Sequence, residues 1–146
     1  MTDFIKEEHI LLRQKVNSWE ESIQLASKPL LDEGYFTQKY VESMIDSVHE
    51  MGPYIVIAPE VAIAHSRPGN NVEKVGLSLL KLDEHINFSE DGHYASLIFV
   101  LSAVDNEAHL DILRQLATKL SDKKRINRLI EAKNSEEIIN IFKEND

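Results

Sequence analysis

Two apolar runs most limit how this chain can fold. Tyr54–His65 reads YIVIAPEVAIAH and Tyr94–Val104 reads YASLIFVLSAV. Each is too short to span a bilayer, which takes about 20 apolar residues. The start of the first run, Tyr54-Ile55-Val56-Ile57, is β-rich and continuously apolar, which suits a strand covered on both faces. The second run reads as the longest and strongest strand. Such strands need helices to cover them, and the flanking sequence supplies helical patterns.

A short helix is expected over Thr2–Glu8 and an edge strand over Ile10–Arg13. Ser18-Trp19-Glu20-Glu21 fits a capping box, in which the serine and the third following glutamate satisfy orphan amides. Trp19, Ile23, Ala26 and Leu30 then recur at helical spacing. Pro29 predicts a kink or an early end, and Gly34 stops the segment. Thr37 can cap a second helix with Val41, Met44, Ile45 and Val48 on one face. Met51-Gly52-Pro53 closes it, glycine and proline falling just past the terminus.

Pro59 interrupts the first apolar run, and Val61–Ala64 resumes in extended style. Ser66–Asn71 (SRPGNN) is a loop by composition. Val75–Leu82 reads as a further strand. Asp105 can cap a helix running through His109, Leu113, Leu116 and Leu120, and Ser121 and Ser135 can cap two more. Helices, a block of strands, then helices imply an α/β fold. The expectation is one domain over residues 1–146, a sandwich with a central mixed β-sheet flanked by α-helices.

Charge and residue usage exclude several functions. Asp and Glu number 25 against 16 Lys and Arg, a net charge of -9. That balance argues against nucleic acid or an anionic membrane as the main partner. The chain has no cysteine, so disulfides, thiolate metal sites and cysteine nucleophiles are ruled out. The N-terminus MTDFIKEEHI lacks the pattern of a signal peptide. The expected setting is soluble and cytoplasmic, without direct membrane insertion.

Six histidines in this cysteine-free chain call for an explanation. His9, after two glutamates, reads as a surface residue. His49 falls at a helix C-terminus, where an imidazolium interacts well with the helix dipole. His85, in Asp83-Glu84-His85, reads as part of a solvated turn, and His93 as a loop residue. His65 ends an apolar strand and opens a loop with Ser66 and Arg67. Strand ends present reactive side chains on a rigid scaffold, and neutral imidazole is a nucleophile near pH 7. Arg67 could pair with an anion such as phosphate. On position alone His65 reads equally as structural or reactive. His109 lies in the first turn of a helix, where free amides and the dipole favour anions; alone, it reads as an exposed polar residue.

Familiar catalytic signatures are missing. No histidine pair has the spacing of His-Glu-x-x-His or His-x-His, so no metal site is expected. There is no Gly-x-Ser-x-Gly elbow, no Gly-x-x-x-x-Gly-Lys loop and no Gly-x-Gly-x-x-Gly fingerprint.

The segment Gly52–Pro68, GPYIVIAPEVAIAHSRP, resembles the active-site region of enzyme IIA components of the phosphoenolpyruvate-dependent sugar phosphotransferase system. The class is the mannitol/fructose type, and the wording is closest to the ascorbate-specific branch. The likeness continues through Val75–Leu82, through Ser102-Ala103-Val104-Asp105-Asn106-Glu107-Ala108-His109, and into Ser135–Phe142. The resemblance implies that His65 is the phosphorylated histidine and His109 the second active-site histidine, with Ser66 and Arg67 as neighbours of the phosphate. It implies a compact α/β domain that takes phosphate from the histidine-containing phosphocarrier protein. The phosphate then passes to a cysteine of a IIB component, and through it to a sugar entering by the membrane IIC component.

On this reading no cofactor is needed, because phosphate is carried covalently on His65. The sugar would be ascorbate-like, or a pentose or polyol. Three positions depart from the family wording: Ala64 where proline is usual, Ser66 where a small residue such as glycine is usual, and His93-Tyr94 where Asp-Pro is frequent. Two other functions fit the same sequence. One is a regulatory domain that signals phosphorylation state by protein binding; the other is a non-catalytic binding domain with structural histidines.

Overall fold

A computed structural model describes residues 5–66 and 71–144. A 3-10 turn, Glu7–His9, leads into β1 (Ile10–Arg13), followed by α1 (Trp19–Asp32) and α2 (Gln38–Met51). The strands β2 (Val56–Ala58), β3 (Glu60–Ala64), β4 (Gly76–Asn87) and β5 (Tyr94–Ser102) come next, then α3 (Asn106–Lys119), α4 (Lys123–Glu131) and α5 (Ser135–Lys143). The five strands form one sheet in the order β1-β4-β5-β3-β2. β1 pairs parallel with β4, β4 antiparallel with β5, β5 parallel with β3, and β3 antiparallel with β2. The sheet is therefore mixed, and the α/β sandwich expected from the sequence is the fold observed.

Alternate side chains of the central strands enter two separate cores. Ala62, Ala64, Leu80, Leu82, Ile98 and Val100 face α1 and α2, packing with Ile23, Ala26, Leu30 and Met44. Val61, Ile63, Leu77, Leu79, Leu97, Phe99 and Leu101 face α3, α4 and α5, packing with Leu116, Leu129, Ile138 and Phe142. Coverage on both faces explains why β5 is apolar without a break from Leu97 to Leu101. Each fully buried Leu or Ile contributes about 1.5–3 kcal/mol.

Local chemistry sets the helix ends. Ser18 accepts from the Glu21 amide, but the Glu21 carboxylate reaches back to the amide of Asn17 rather than that of Ser18. Pro29 does not end α1, which runs on to Asp32. Its missing N–H falls in the last turn, where few later hydrogen bonds remain to be lost. Gly34 at φ 79° and Gly52 at φ 85° adopt the left-handed backbone just past α1 and α2, where glycine carries no Cβ penalty. Thr37 stands at the N-cap of α2 without a side-chain cap bond.

Several expectations need correction. The start of the first apolar run is not a doubly covered strand. Tyr54 and Ile55 lie in a turn, and β2 is an edge strand with Ile57 53% exposed. β4 extends to Asn87, so His85 lies in a strand, because Ile86 and Asn87 continue the pairing with Ala95 and Tyr94 after a bulge. Asp122 and Asn134, not Ser121 and Ser135, cap α4 and α5, since their side chains reach the free amides. Of the expected helix Thr2–Glu8, positions 2–4 lie outside the described residues, and Glu7–His9 forms a 3-10 turn. His9 is buried at 2% exposure, with Nε2 3.0 Å from Glu33 Oε2 and its ring edge-on to Tyr35. Its place between the first turn and the end of α1 covers it.

Candidate functional site

The topology brings His65 and His109 together. β3 and β5 are parallel neighbours, and Ala64 at the end of β3 pairs with Val100 near the end of β5. The chain therefore leaves both strands at the same edge of the sheet. His65 follows β3 directly; α3, which follows β5, presents His109 from its first turn. In open α/β sheets this region outside the carboxyl ends of the strands is where ligands are met. The two imidazoles stand edge to face, with ring centroids 5.1 Å apart at 74°.

Hydrogen bonding selects the tautomer of His65. Its Nδ1 lies 2.9 Å from the carbonyl oxygen of Ile63. A carbonyl can only accept, so Nδ1 carries the proton. In the neutral ring Nε2 is then the nitrogen with the free lone pair. On the other side Tyr54 packs edge-on, with centroids 5.9 Å apart, and its hydroxyl donates to the His65 carbonyl at 3.4 Å.

His109 is held below the ordinary histidine pKa, mainly by burial and further by the adjacent His65. Both effects disfavour its charged form. The helix that carries it is set by Asp105, whose carboxylate accepts from the Ala108 amide at 2.8 Å and whose carbonyl accepts from the His109 amide. The Ala108 amide is thereby committed to the cap and is not free for an anion.

The histidines open into a cleft of about 420 Å³ lined by Ser47, Met51, Tyr54, His65, Ser66, Asn106 and His109. Ser66, expected as a neighbour of the phosphate, lines it; Arg67, the other expected neighbour, lies outside the described residues. No lysine or arginine is among the described residues that line it. Leu110, next to His109, is 51% exposed, whereas Ile63 in β3 is buried against the layer of α3, α4 and α5. Ser47 and Met51 are not legible as site residues, because only the tertiary fold brings the end of α2 to the cleft beside His65; Tyr54 and Asn106 had a signal, each lying within a segment that carries the family likeness. Of the other histidines, His49 stands 3.3 Å from Glu20 and against Trp19, and His93 accepts or donates a 2.7 Å bond with Ser89. Neither lines the cleft.

A mixed sheet between two helix layers, with an open histidine pair at its strand ends, is the design of a phosphotransferase domain. The family is specific. The model for the phosphoenolpyruvate-dependent sugar phosphotransferase system, EIIA 2, matches residues 3–145, and the chain belongs to that family. It is 37% identical over 144 residues to the mannitol-specific phosphotransferase enzyme IIA component of Bacillus subtilis, covering 96% of each chain. It is 28% identical over 135 residues to the ascorbate-specific EIIA component of Salmonella typhimurium, covering 91% of this chain and 88% of that one.

Two solved structures superimpose closely. The solution structure of the mannitol-specific cryptic enzyme IIA of Escherichia coli has a TM-score of 0.88 at 28% identity, over 96% of this chain and 95% of that one. The Escherichia coli mannitol IIA, solved in complex with its phosphorylated IIB enzyme, has a TM-score of 0.82 at 26% identity, over 94% of this chain and 96% of that one. The chain is thus an enzyme IIA component, a phosphotransferase component whose kind carries phosphohistidine. Among the described residues no helix is long and apolar enough to cross a membrane.

Proposed function

We propose that the chain carries phosphate on Nε2 of His65, taking it from the histidine-containing phosphocarrier protein and giving it to a cysteine of a IIB component. The observation that carries this reading is the 2.9 Å bond from Nδ1 of His65 to the Ile63 carbonyl beside an open cleft. It leaves Nε2 as the nucleophile. In the first step a bond forms from Nε2 to phosphorus, and the donor's P–N bond breaks, with its electron pair returning to the donor imidazole. As the ring of His65 gains positive character, the Ile63 carbonyl stabilises the Nδ1 proton. In the second step the Nε2–P bond breaks as a IIB thiolate attacks.

The protein's task in such a transfer is positioning and electrostatic stabilisation. His109, adjacent to His65, donates a hydrogen bond to a phosphoryl oxygen. A site built from histidines, with no lysine or arginine among the described residues that line it, lets phosphate leave as readily as it arrives. Binding the carried and the transferring phosphate equally tightly would slow its exit. No cofactor enters either step.

Partners dock over exposed apolar side chains, Met51 and Tyr54 lining the cleft and Leu110 next to His109. The net charge of -9 steers such transient encounters toward basic surfaces. On this reading the chain is a cytoplasmic station that serves a membrane IIC component, and the mannitol- and ascorbate-specific relatives support a polyol or an ascorbate-like substrate. The test is direct. Incubation with phosphoenolpyruvate, enzyme I and the phosphocarrier should add one acid-labile phosphate by intact mass, and His65→Ala should abolish it. A wild-type chain that gains none overturns the reading.

A further inference from the structure

Tyr40, in the first turn of α2, is only 2% exposed, yet its hydroxyl lies directly beneath the loop that carries His65. The hydroxyl donates to the Leu101 carbonyl at 2.6 Å and accepts from the Ser66 amide at 3.2 Å. Both partners are backbone atoms from different segments, the end of β5 and the residue after His65. Burial pushes this phenol up to about 12, so it remains protonated at any working pH and keeps donating to Leu101. With its single proton committed there, a lone pair is left for the Ser66 N–H.

The amide of Ser66 belongs to the peptide unit whose carbonyl is that of His65. Holding it restricts rotation about the Cα–C bond of His65. On the preceding side His65 is held by β3, through the pairing of Ala64 with Val100, and its ring is held by Ile63. Tyr54 also reaches this peptide, but at 3.4 Å from an exposed position, near the outer limit for such a bond. Tyr40 provides the shorter and buried restraint.

We propose that Tyr40 is the positioning residue of the site, its hydroxyl tying the His65–Ser66 peptide to the end of β5 so that Nε2 of His65 is aimed for transfer. The proposal rests on the reading of His65 as phosphoryl acceptor. A merely structural tyrosine would satisfy its hydroxyl in the core without affecting the chemistry of His65.

The variant Tyr40→Phe keeps the ring and removes the link. Three measurements on the full chain decide the matter: the rate of labelling by phosphoenolpyruvate, enzyme I and the phosphocarrier; the hydrogen exchange of the Ser66 amide; and the His65 tautomer from long-range proton–nitrogen NMR. The expected result is full labelling reached at least about tenfold more slowly, faster exchange at Ser66, and a shift of His65 from the Nδ1–H form to a mixture. A variant with lowered melting temperature but unchanged rate, exchange and tautomer overturns the proposal. So does a slower rate with exchange and tautomer unchanged. Should the variant fail to fold, the wild-type Ser66 amide decides: slow exchange supports the link and exchange at the free rate overturns it. If wild-type protein accepts no phosphate, the carrier reading falls, while exchange and tautomer still report on Tyr40.

Discussion

His65 and His109 meet edge to face with ring centroids 5.1 Å apart, although 43 positions separate them in the chain. His65 has its ring oriented by the Ile63 carbonyl. His109 is held below the ordinary histidine pKa by burial and by its neighbour. On the proposed carrier reading the pair divides the work of transfer between attack and stabilisation, and that division yields distinct outcomes for the two residues.

Replacing His109 by alanine should leave His65 open to labelling but slow onward transfer to IIB. Loss of one stabilising donor at a transferring group costs about 10²–10³ in rate at well-ordered sites; at this half-exposed site the loss should be nearer tenfold. Quenched-flow transfer from labelled protein to IIB measures it. Normal transfer would remove His109 from the mechanism.

The pH response of His109 has a definite sign. Its folded pKa lies below the ordinary value of about 6.5, so below that pH the unfolded chain binds a proton that the folded chain resists. Stability should therefore fall as pH drops below about 6.5, and His109→Gln should flatten that part of the curve. A dianionic phosphoryl group on His65 reverses the local charge, so the His109 pKa should rise on phosphorylation. NMR titration of the ring protons before and after labelling checks both directions.

Asp105 connects helix capping to the site, since its carboxylate takes the Ala108 amide one residue before His109. Asp105→Ala should lower stability by about 1 kcal/mol and also slow transfer, because the first turn that carries His109 frays. Urea unfolding together with the labelling assay separates the two effects.

Leu110 lies beside the site with its side chain half exposed. Leu110→Glu should change stability by no more than about 0.5 kcal/mol while weakening encounters with both partners. Transfer should slow at low partner concentration and recover at high concentration. Unchanged concentration dependence would place docking elsewhere.

Pro29 offers a check on α1, which continues past it to Asp32. Pro29→Ala restores an amide and should stabilise the fold. The full helix-interior penalty of proline is about 3 kcal/mol, and its place in the last turn should bring the gain nearer 1 kcal/mol. Thermal unfolding measures it.

Most elements could be read from local chemistry. Ser18 and Asp105 cap as expected because a short polar side chain before an apolar periodicity has few other uses. Gly34 and Gly52 mark helix ends because the backbone there is left-handed. The failures arise where neighbours in space decide. Tyr54–Ile57 looked like a covered strand, yet β2 lies at the sheet edge, and composition does not carry strand order. His9 looked exposed beside two glutamates, yet the first turn folds it onto Glu33 and Tyr35. His85 looked like part of a turn because Asp83 and Glu84 are polar, yet pairing with β5 extends the strand through it.

The sequence by itself determined the α/β composition, the capped helices, the absence of any thiol, and the family likeness that singled out His65 and His109. Those properties depend on side-chain type and short-range spacing, which a linear chain records directly. The tertiary structure decided the rest: that parallel pairing of β3 with β5 puts both histidines at one edge, that Ile63 selects the tautomer, and that Tyr40 reaches the peptide after His65. Each of these needs atoms far apart in the chain, or a backbone direction, to be set to within a fraction of an ångström, and only the packed sheet and helices impose that geometry.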